Sequence, residues 1–176
     1  MATTQWSLDP THSELQFKVK HLMITTVTGG LNTLTGSLTS DTEDFENAKV
    51  SFEADINSID TGNTDRDNHL KSGDFFDAEQ FPAITFASTS FEKDGDDFIL
   101  KGDLTVKGVS KPVKLTAEFG GIATDPWGNT KAGFTLSGKI NRTDFGLSWN
   151  AALETGGVMV SEEVKIAAEL QFVKQA

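Results

Sequence analysis

The sequence predicts an all-β fold, a single antiparallel up-and-down β-barrel of about eight strands. Three observations lead to this prediction. Apolar and polar residues alternate with a period of two in separate segments, as in strands with one buried and one solvated face. Turn-forming residues separate these segments. The chain of 176 residues has the length of one domain, residues 1–176, without a linker or an internal repeat.

Eight segments have the alternation or the composition of strands. The predicted strands are Leu15–Val19, Thr33–Thr39, Ala48–Ile56, Ala83–Phe91, Phe98–Val106, Val113–Phe119, Ala132–Ile140 and Val164–Phe172. The sequence Asp94–Asp96 is a hairpin signal, and Asp125–Asn129 is typical of a longer turn. Strands joined in this way form a meander, which about eight strands can close into a barrel.

The long polar connection Ser58–Pro82 contains the one predicted helix, over residues 63–72. Asn63 or Thr64 can cap its first turn, where Asp65 and Asp67 also suit the helix dipole. Lys71 falls in the last turn, and Gly73 is expected to end the helix in a left-handed conformation. A connection of this length between strands carries structure or function of its own.

Several of the alternating strand positions that are predicted to face inward carry small residues, which raises the question of a hollow interior. They are Ala54, Gly102, Ala117, Ala132, Gly138 and Ala168. Small inward-facing side chains leave space for an apolar ligand. They are equally compatible with the taper and bends of a filled barrel. Because inward-parity positions in these strands carry no charge, an enclosed ligand would be largely apolar.

Composition argues against several classes of partner. The formal net charge of −11 predicts repulsion from nucleic acid and from anionic lipid headgroups, so neither nucleic-acid binding nor electrostatic membrane docking is expected. Without cysteine, the chain has no disulfide, thiolate metal site or cysteine nucleophile. No apolar run approaches the roughly 20 residues of a membrane span. Met1–Gln5 lacks the features of a signal peptide, which predicts a cytoplasmic location, or a periplasmic one if a signal has been removed.

The sequence argues only weakly for catalysis, and no catalytic residue, metal site or cofactor is predicted. His12 and His21 are nine residues apart, an odd spacing that places them on opposite faces of a strand. Arg66 and His69 share a helix face, with Asp67 beside them, which fits a docking helix better than an acid–base cluster. Arg142 and Asp144 are expected to pair and to brace one end of the barrel. No nucleophile elbow, Walker loop or zincin motif is present.

Several motifs in one order resemble the YceI-like family over the whole chain. They read WxLDPxHS at 6–13, SIDTGN at 58–63, DFFD at 74–77, FPxIxF at 81–86, LTVKGVSKPV at 104–113 and NRxDFGLxWN at 141–150. The resemblance implies a lipocalin-like barrel that binds polyisoprenoid or related amphiphilic lipids, often as a homodimer.

Together these inferences predict a non-catalytic carrier that holds a long-chain lipid, of polyisoprenoid, prenylated quinone or fatty-acyl type, without stable membrane insertion. The alternatives are an enzyme acting on a lipid or isoprenoid and a packed structural barrel without ligand. The segment 63–72 with Phe75 and Phe76 is expected to cover the opening of the barrel. The residues predicted to bind the ligand are Phe17, Val19, His21, Phe52, Arg66, His69, Phe75, Phe76, Phe86, Leu104, Phe134 and Trp149.

Overall fold

A computed structural model describes residues 3–22, 24–41, 44–73, 75–147 and 161–175 of the chain. Within these residues the strands are β1 Thr4–Leu8, β2 Glu14–His21, β3 Thr25–Leu31, β4 Leu34–Ser40, β5 Lys49–Asp55, β6 Ile59–Asp60, β7 Ala83–Asp94, β8 Asp97–Val106, β9 Val109–Thr124, β10 Thr130–Asn141 and β11 Glu163–Lys174. One α-helix, α1, covers Thr64–Lys71, and short 3-10 helices cover Pro10–His12, Ile56–Ser58 and Arg142–Phe145.

Eight of these strands form a closed antiparallel barrel, which confirms the predicted fold class. Their order around the barrel is β1-β4-β5-β7-β8-β9-β10-β11. The ring closes where β11 pairs with β1, with Phe172 opposite Leu8 and Lys174 opposite Trp6. The side chains that point inward from the strands form a hydrophobic core that runs through the barrel.

Strand β11 pairs with two different strands along its length. Its C-terminal part pairs with β1, whereas its N-terminal part pairs with β2, from Lys165 opposite Lys18 to Glu169 opposite Glu14. The next strand, β3, pairs with β2 on one side. On its other side, within the described residues, β3 pairs only with the two residues of β6, at Gly30 and Leu31.

The predicted strands coincide with β2, β4, β5 and β7–β11. The helix is also present, and the side chain of its N-cap residue, Asn63, accepts a hydrogen bond from the Arg66 amide. Lys71 lies in its last turn, as predicted, but the predicted cap at Gly73 was wrong. Ser72, in an extended conformation, ends the helix by donating from its amide and its hydroxyl to the His69 carbonyl, and Gly73 does not adopt a positive φ.

Candidate functional site

The two ends of the barrel interior are packed differently. One end is filled by an aromatic cluster, made of Trp6, Phe45, Phe91, Phe98, Phe119, Phe134 and Phe172. The rings of Phe91 and Phe98 stack at 4.4 Å, and Phe45 meets Phe134 edge-on at 5.4 Å. Phe45 enters from the β4–β5 connection in a left-handed conformation with φ of 64° and is only 1 % exposed. Rings in such contact leave no room for a ligand at this end.

The other end of the interior is hollow. It contains a cavity of about 190 Å³. A single water needs only about 10–15 Å³, and apolar cavities of about 150 Å³ are known to stay dry and to admit small aromatic molecules. Its apolar lining is Leu15, Phe17, Val19, Leu31, Leu34, Phe52, Ala54, Leu70, Phe75, Phe76, Ile84, Phe86, Leu104, Val106, Val113, Leu115, Leu136, Ile140, Leu147, Val164, Ile166, Ala168 and Leu170. The other described residues in the lining are Gln16, Thr85 and Arg142.

Exposure along the strands shows the same division between the two ends. Inward-facing residues beside the cavity, such as Phe17, Val19 and Ile166, are only half-buried, although they point into the barrel. At the aromatic end the inward residues Phe98, Ala132 and Phe172 are fully buried. Protein interiors are normally close-packed, so inward-facing apolar side chains without packing partners are unusual. Such side chains around an empty space indicate a ligand site.

The small inward residues identify the cavity less well than expected. Ala54 and Ala168 line it. Ala117 and Ala132 do not; both are completely buried, and their strand neighbours include Phe98 and Phe172. They accommodate large rings nearby, so their small size follows from packing.

At the two inward glycines, Gly102 and Gly138, neighbouring atoms approach the backbone closely, so these glycines do not leave empty space. A Cβ atom on Gly102 would lie 2.4 Å from the Ala87 carbonyl oxygen and 2.5 Å from the Phe86 ring. One on Gly138 would lie 2.4 Å from a methyl group of Leu115. Large residues at either position would therefore clash with the wall.

Helix α1 and the segment after it cover the cavity, at the expected place. Leu70, Phe75 and Phe76 belong to the lining, and Phe75 is 7 % exposed. The segment is held by backbone hydrogen bonds from the Phe76 amide to Leu70 and from the Ala78 amide to Lys71. Lys107, from the β8–β9 turn, donates to the Gly73 carbonyl at 3.1 Å. This part of the wall is therefore made of side chains and short-range bonds, without a β-ladder.

The polar side chains of α1 brace the helix. The Asp67 carboxylate accepts from the Thr61 amide at 2.9 Å and from its hydroxyl at 2.5 Å. Arg66 donates to the Thr61 hydroxyl at 2.7 Å and to its carbonyl at 2.5 Å. His69 contacts the edge of the Phe75 ring, with centroids 5.1 Å apart. Arg66 and His69 lie behind the lining rather than in it, and they position the segment that covers the cavity.

Arg142, predicted from the sequence to pair with Asp144 at a barrel end, brings a permanent charge to the cavity lining, a position that the sequence did not predict. It is 4 % exposed, and its guanidinium donates to the carbonyls of Ser161, at 2.8 Å, and Leu147. Burial lowers the pKa of Arg142, an effect that the charge of Glu162 opposes. Arginine nevertheless stays protonated in proteins. Arg142 lies in a 3-10 helix after β10, so strand parity could not predict its position.

Seven of the predicted ligand-binding residues line the cavity: Phe17, Val19, Phe52, Phe75, Phe76, Phe86 and Leu104. Arg66 and His69 lie on α1 beside it. Phe134 lies in the aromatic cluster and outside the lining. His21 ends β2, near the cavity, but its side chain is not among those described, and Trp149 lies outside the described residues. Parity therefore separates inward from outward residues but does not distinguish the two ends.

The described residues offer little chemistry beyond the cavity. Among them, no three His, Asp or Glu side chains are placed to hold a metal ion, and no helix is long and apolar enough to cross a membrane. Asp9 is the centre of a polar group at the aromatic end, where it contacts His12 at 2.8 Å and Lys131 at 2.9 Å. The hydrogen bond from Lys131 holds the pKa of Asp9 well below its ordinary range. This group faces away from the cavity.

Comparison with known proteins agrees with this architecture. The sequence-family model of the YceI-like domain matches residues 6–172. A UPF0312 protein of Staphylococcus aureus strain MSSA476 is 39 % identical over 170 residues, 96 % of this chain and 97 % of that protein. The YCEI protein of Campylobacter jejuni is 33 % identical, with a TM-score of 0.75, over 89 % of this chain and 90 % of that one.

Two further solved structures share the fold at lower identity. Burkholderia cenocepacia BcnA is 22 % identical, with a TM-score of 0.79, over 93 % of this chain and 98 % of that chain. A polyisoprenoid binding domain from Saccharophagus degradans is 19 % identical, with a TM-score of 0.69, over 97 % and 98 %. With its barrel, its cavity and its match over nearly the full length, the chain belongs to the YceI-like family.

Proposed function

We propose that this protein is a non-catalytic carrier that holds the apolar chain of an amphiphilic lipid in the cavity. The observation that carries the proposal is the lining, in which, among the residues that the structure describes, 23 apolar residues are accompanied by only Gln16, Thr85 and Arg142. Such a surface gains free energy by burying hydrocarbon, about 25 cal/mol per Å² removed from water. It offers few groups to orient a polar substrate for reaction.

The ligand class is inferred from shape and charge together. A polyisoprenoid, a prenylated quinone and a fatty-acyl lipid all have an apolar chain and a polar end. The barrel neighbour from Saccharophagus degradans, described as a polyisoprenoid binding domain, supports the first of these. The cation of Arg142 suits a ligand whose polar end has hydrogen-bond acceptors. A cytoplasmic location and a homodimer remain predictions.

Two measurements test the carrier proposal. Nile red, a neutral apolar probe, is expected to bind with saturable fluorescence enhancement and to be displaced by geranylgeraniol or by a long-chain fatty acid. Mass spectrometry of an organic extract of the purified protein is expected to recover a stoichiometric lipid. Absence of saturable probe binding well above micromolar concentration, together with an empty extract, would support a structural barrel without ligand.

A further inference from the structure

Five exposed lysines form a continuous row across five neighbouring strands on the outside of the barrel. The row is Lys101 on β8, Lys114 on β9, Lys139 on β10, Lys165 on β11 and Lys18 on β2. We call it the lysine belt. Each of these residues has outward parity, and each is exposed.

The strand registers place the five residues at one level. Lys101 is paired with Lys114, Lys139 with Lys165, and Lys165 with Lys18. Between β9 and β10 the last pair is Thr116 with Ser137, so continuing this antiparallel register by two residues sets Lys114 opposite Lys139. With neighbouring strands about 4.8 Å apart, the belt extends about 19 Å along the wall.

This arrangement concentrates positive charge in a strongly acidic protein. The belt contains five of the 15 lysine and arginine residues of a chain with a net charge of −11. Like charges directly opposite each other on a sheet are destabilising. Of the five belt lysines, only Lys139 has a described carboxylate within 4 Å, that of Glu163 at 3.9 Å. A row of unneutralised lysines that disfavours folding is best explained by an anionic partner.

The positions that flank the belt leave its charge largely intact. On the side of the aromatic cluster, the outward positions at the next level are uncharged: Ile99, Thr116, Ser137, Ala167 and Gln16. On the side of the cavity, Asp103 and Glu163 are accompanied by Lys20. Beyond the uncharged level, on the side of the aromatic cluster, the same outer face carries the carboxylates of Asp97, Glu118, Glu169 and Glu14. These lie four residues from the belt along the strands, about 13 Å. The Debye length at physiological salt is about 8 Å, so they are partly screened from a partner at the belt, and the positive charge of this face is confined to the level of the belt.

An exposed apolar residue in the turn after the strand that carries Lys18 indicates what kind of anionic partner fits. Ile24, in the turn between β2 and β3, is 77 % exposed. It follows the strand that carries Lys18 and Lys20, at the end of the barrel where Val19 lines the cavity. Basic side chains beside an exposed apolar residue are the pattern of a peripheral membrane surface, where charge attracts headgroups and the apolar tip enters the interface. A soluble acidic polymer would have no use for the apolar tip.

We propose that the lysine belt and Ile24 together dock the barrel reversibly on the surface of an anionic lipid bilayer. The inference goes beyond the carrier function and does not depend on what occupies the cavity. It also revises the expectation from net charge, because the strand registers collect on one face lysines that are scattered in the sequence. Each lysine near an anionic surface strengthens binding about five-fold.

Vesicle co-sedimentation tests the proposal with two charge-matched double variants. Lys18→Gln with Lys165→Gln removes two belt charges, and Lys49→Gln with Lys174→Gln removes two exposed charges away from the belt. On phosphatidylcholine vesicles containing phosphatidylglycerol, we expect the belt variant to bind roughly 25-fold more weakly than the wild type, and the control variant to stay within about two-fold. Added salt should weaken wild-type binding. Unchanged Nile red binding by both variants would show that the barrel and its cavity are intact.

Ile24→Ser separates a bilayer from a soluble polyanion. The variant should bind the anionic vesicles several-fold more weakly, while its binding to inorganic polyphosphate stays equal to that of the wild type. The proposal is overturned if wild-type protein binds anionic vesicles no better than pure phosphatidylcholine, or if both charge variants weaken binding equally. Tight binding to polyphosphate without binding to vesicles would overturn it in favour of a soluble acidic polymer.

Discussion

Replacing Ala168 with leucine tests directly whether one end of the barrel is hollow. Ala168 lines the cavity from β11. Ala132→Leu is the matched control, because Ala132 lies on the neighbouring strand β10, is completely buried and lies outside the lining. Both substitutions add the same three carbon atoms to an inward-facing alanine. Only the surroundings differ, with empty space at one position and packed side chains at the other.

The two variants should change the free energy of unfolding in opposite directions. At Ala168 the added atoms enter the cavity, and burial at about 0.8 kcal/mol per methylene stabilises the protein by at most about 2.4 kcal/mol. Loss of side-chain freedom reduces that gain. At Ala132 the same atoms overfill a packed region, which destabilises proteins by about 1–3 kcal/mol. The variants should therefore differ by several kcal/mol, which urea denaturation followed by tryptophan fluorescence can measure.

Ligand affinity should show the reverse order. If Ala168→Leu displaces three methylene groups of a bound chain, the lost burial is about 2.4 kcal/mol, or roughly 50-fold in the dissociation constant for a long-chain ligand. Ala132→Leu, where it remains folded, should leave that constant nearly unchanged. Equal destabilisation by both substitutions, with ligand affinity unaffected by either, would refute the assignment of this end as a binding cavity.

Three further predictions concern named side chains. The double substitution Phe75→Ala and Phe76→Ala should accelerate ligand release, measured by stopped-flow fluorescence, more than it weakens equilibrium binding, because these rings cover the cavity; an unchanged release rate would contradict this. Arg66→Ala should lower the free energy of unfolding by no more than about 1 kcal/mol, since Arg66 is exposed and braces Thr61, and should leave Nile red affinity unaltered. Asp9→Asn should be less stable than the wild type at pH 7, because the pKa of Asp9 is lower in the folded than in the unfolded protein. That difference should shrink as the pH falls below about 4, and denaturation curves in which it stays constant would exclude a role for the charge.

The sequence predicts seven of the eight barrel strands, mostly because one rule, alternation, governs them. It misses β1, in which only Trp6 and Leu8 alternate, and the eighth predicted strand is β2, outside the ring. It fails where that rule is weak. β3, with the sequence TTVTGGL, has few apolar residues to alternate, and β6 has only two residues. The helix was predicted from its cap and its charges, while its end depended on a local hydrogen bond from Ser72.

The position of the cavity could be predicted only in part. Parity selected inward residues, but the division into a filled and a hollow end depends on Phe45, which comes from a connection rather than a strand. Phe134 shares the inward parity of Leu136 and Ile140, yet it lies among the rings, whereas these two residues line the cavity. Arg142 likewise lies beyond the end of β10. Distances between segments that are remote in sequence determine these outcomes, and a single sequence does not contain them as a local pattern.

The aromatic cluster closes one end of the barrel, and this restricts how a ligand could enter and leave. In the proposed carrier, a flexible chain would pass through the hollow end, so it would enter tail first and its polar end would leave first. Donor and acceptor would then use the same opening in turn, because a second molecule could not push the first out from behind. Exchange would be strictly sequential, with an empty protein between each delivery and the next loading. The rate of a transfer cycle would accordingly be set by the lifetime of the loaded state rather than by competition between two ligands inside the barrel.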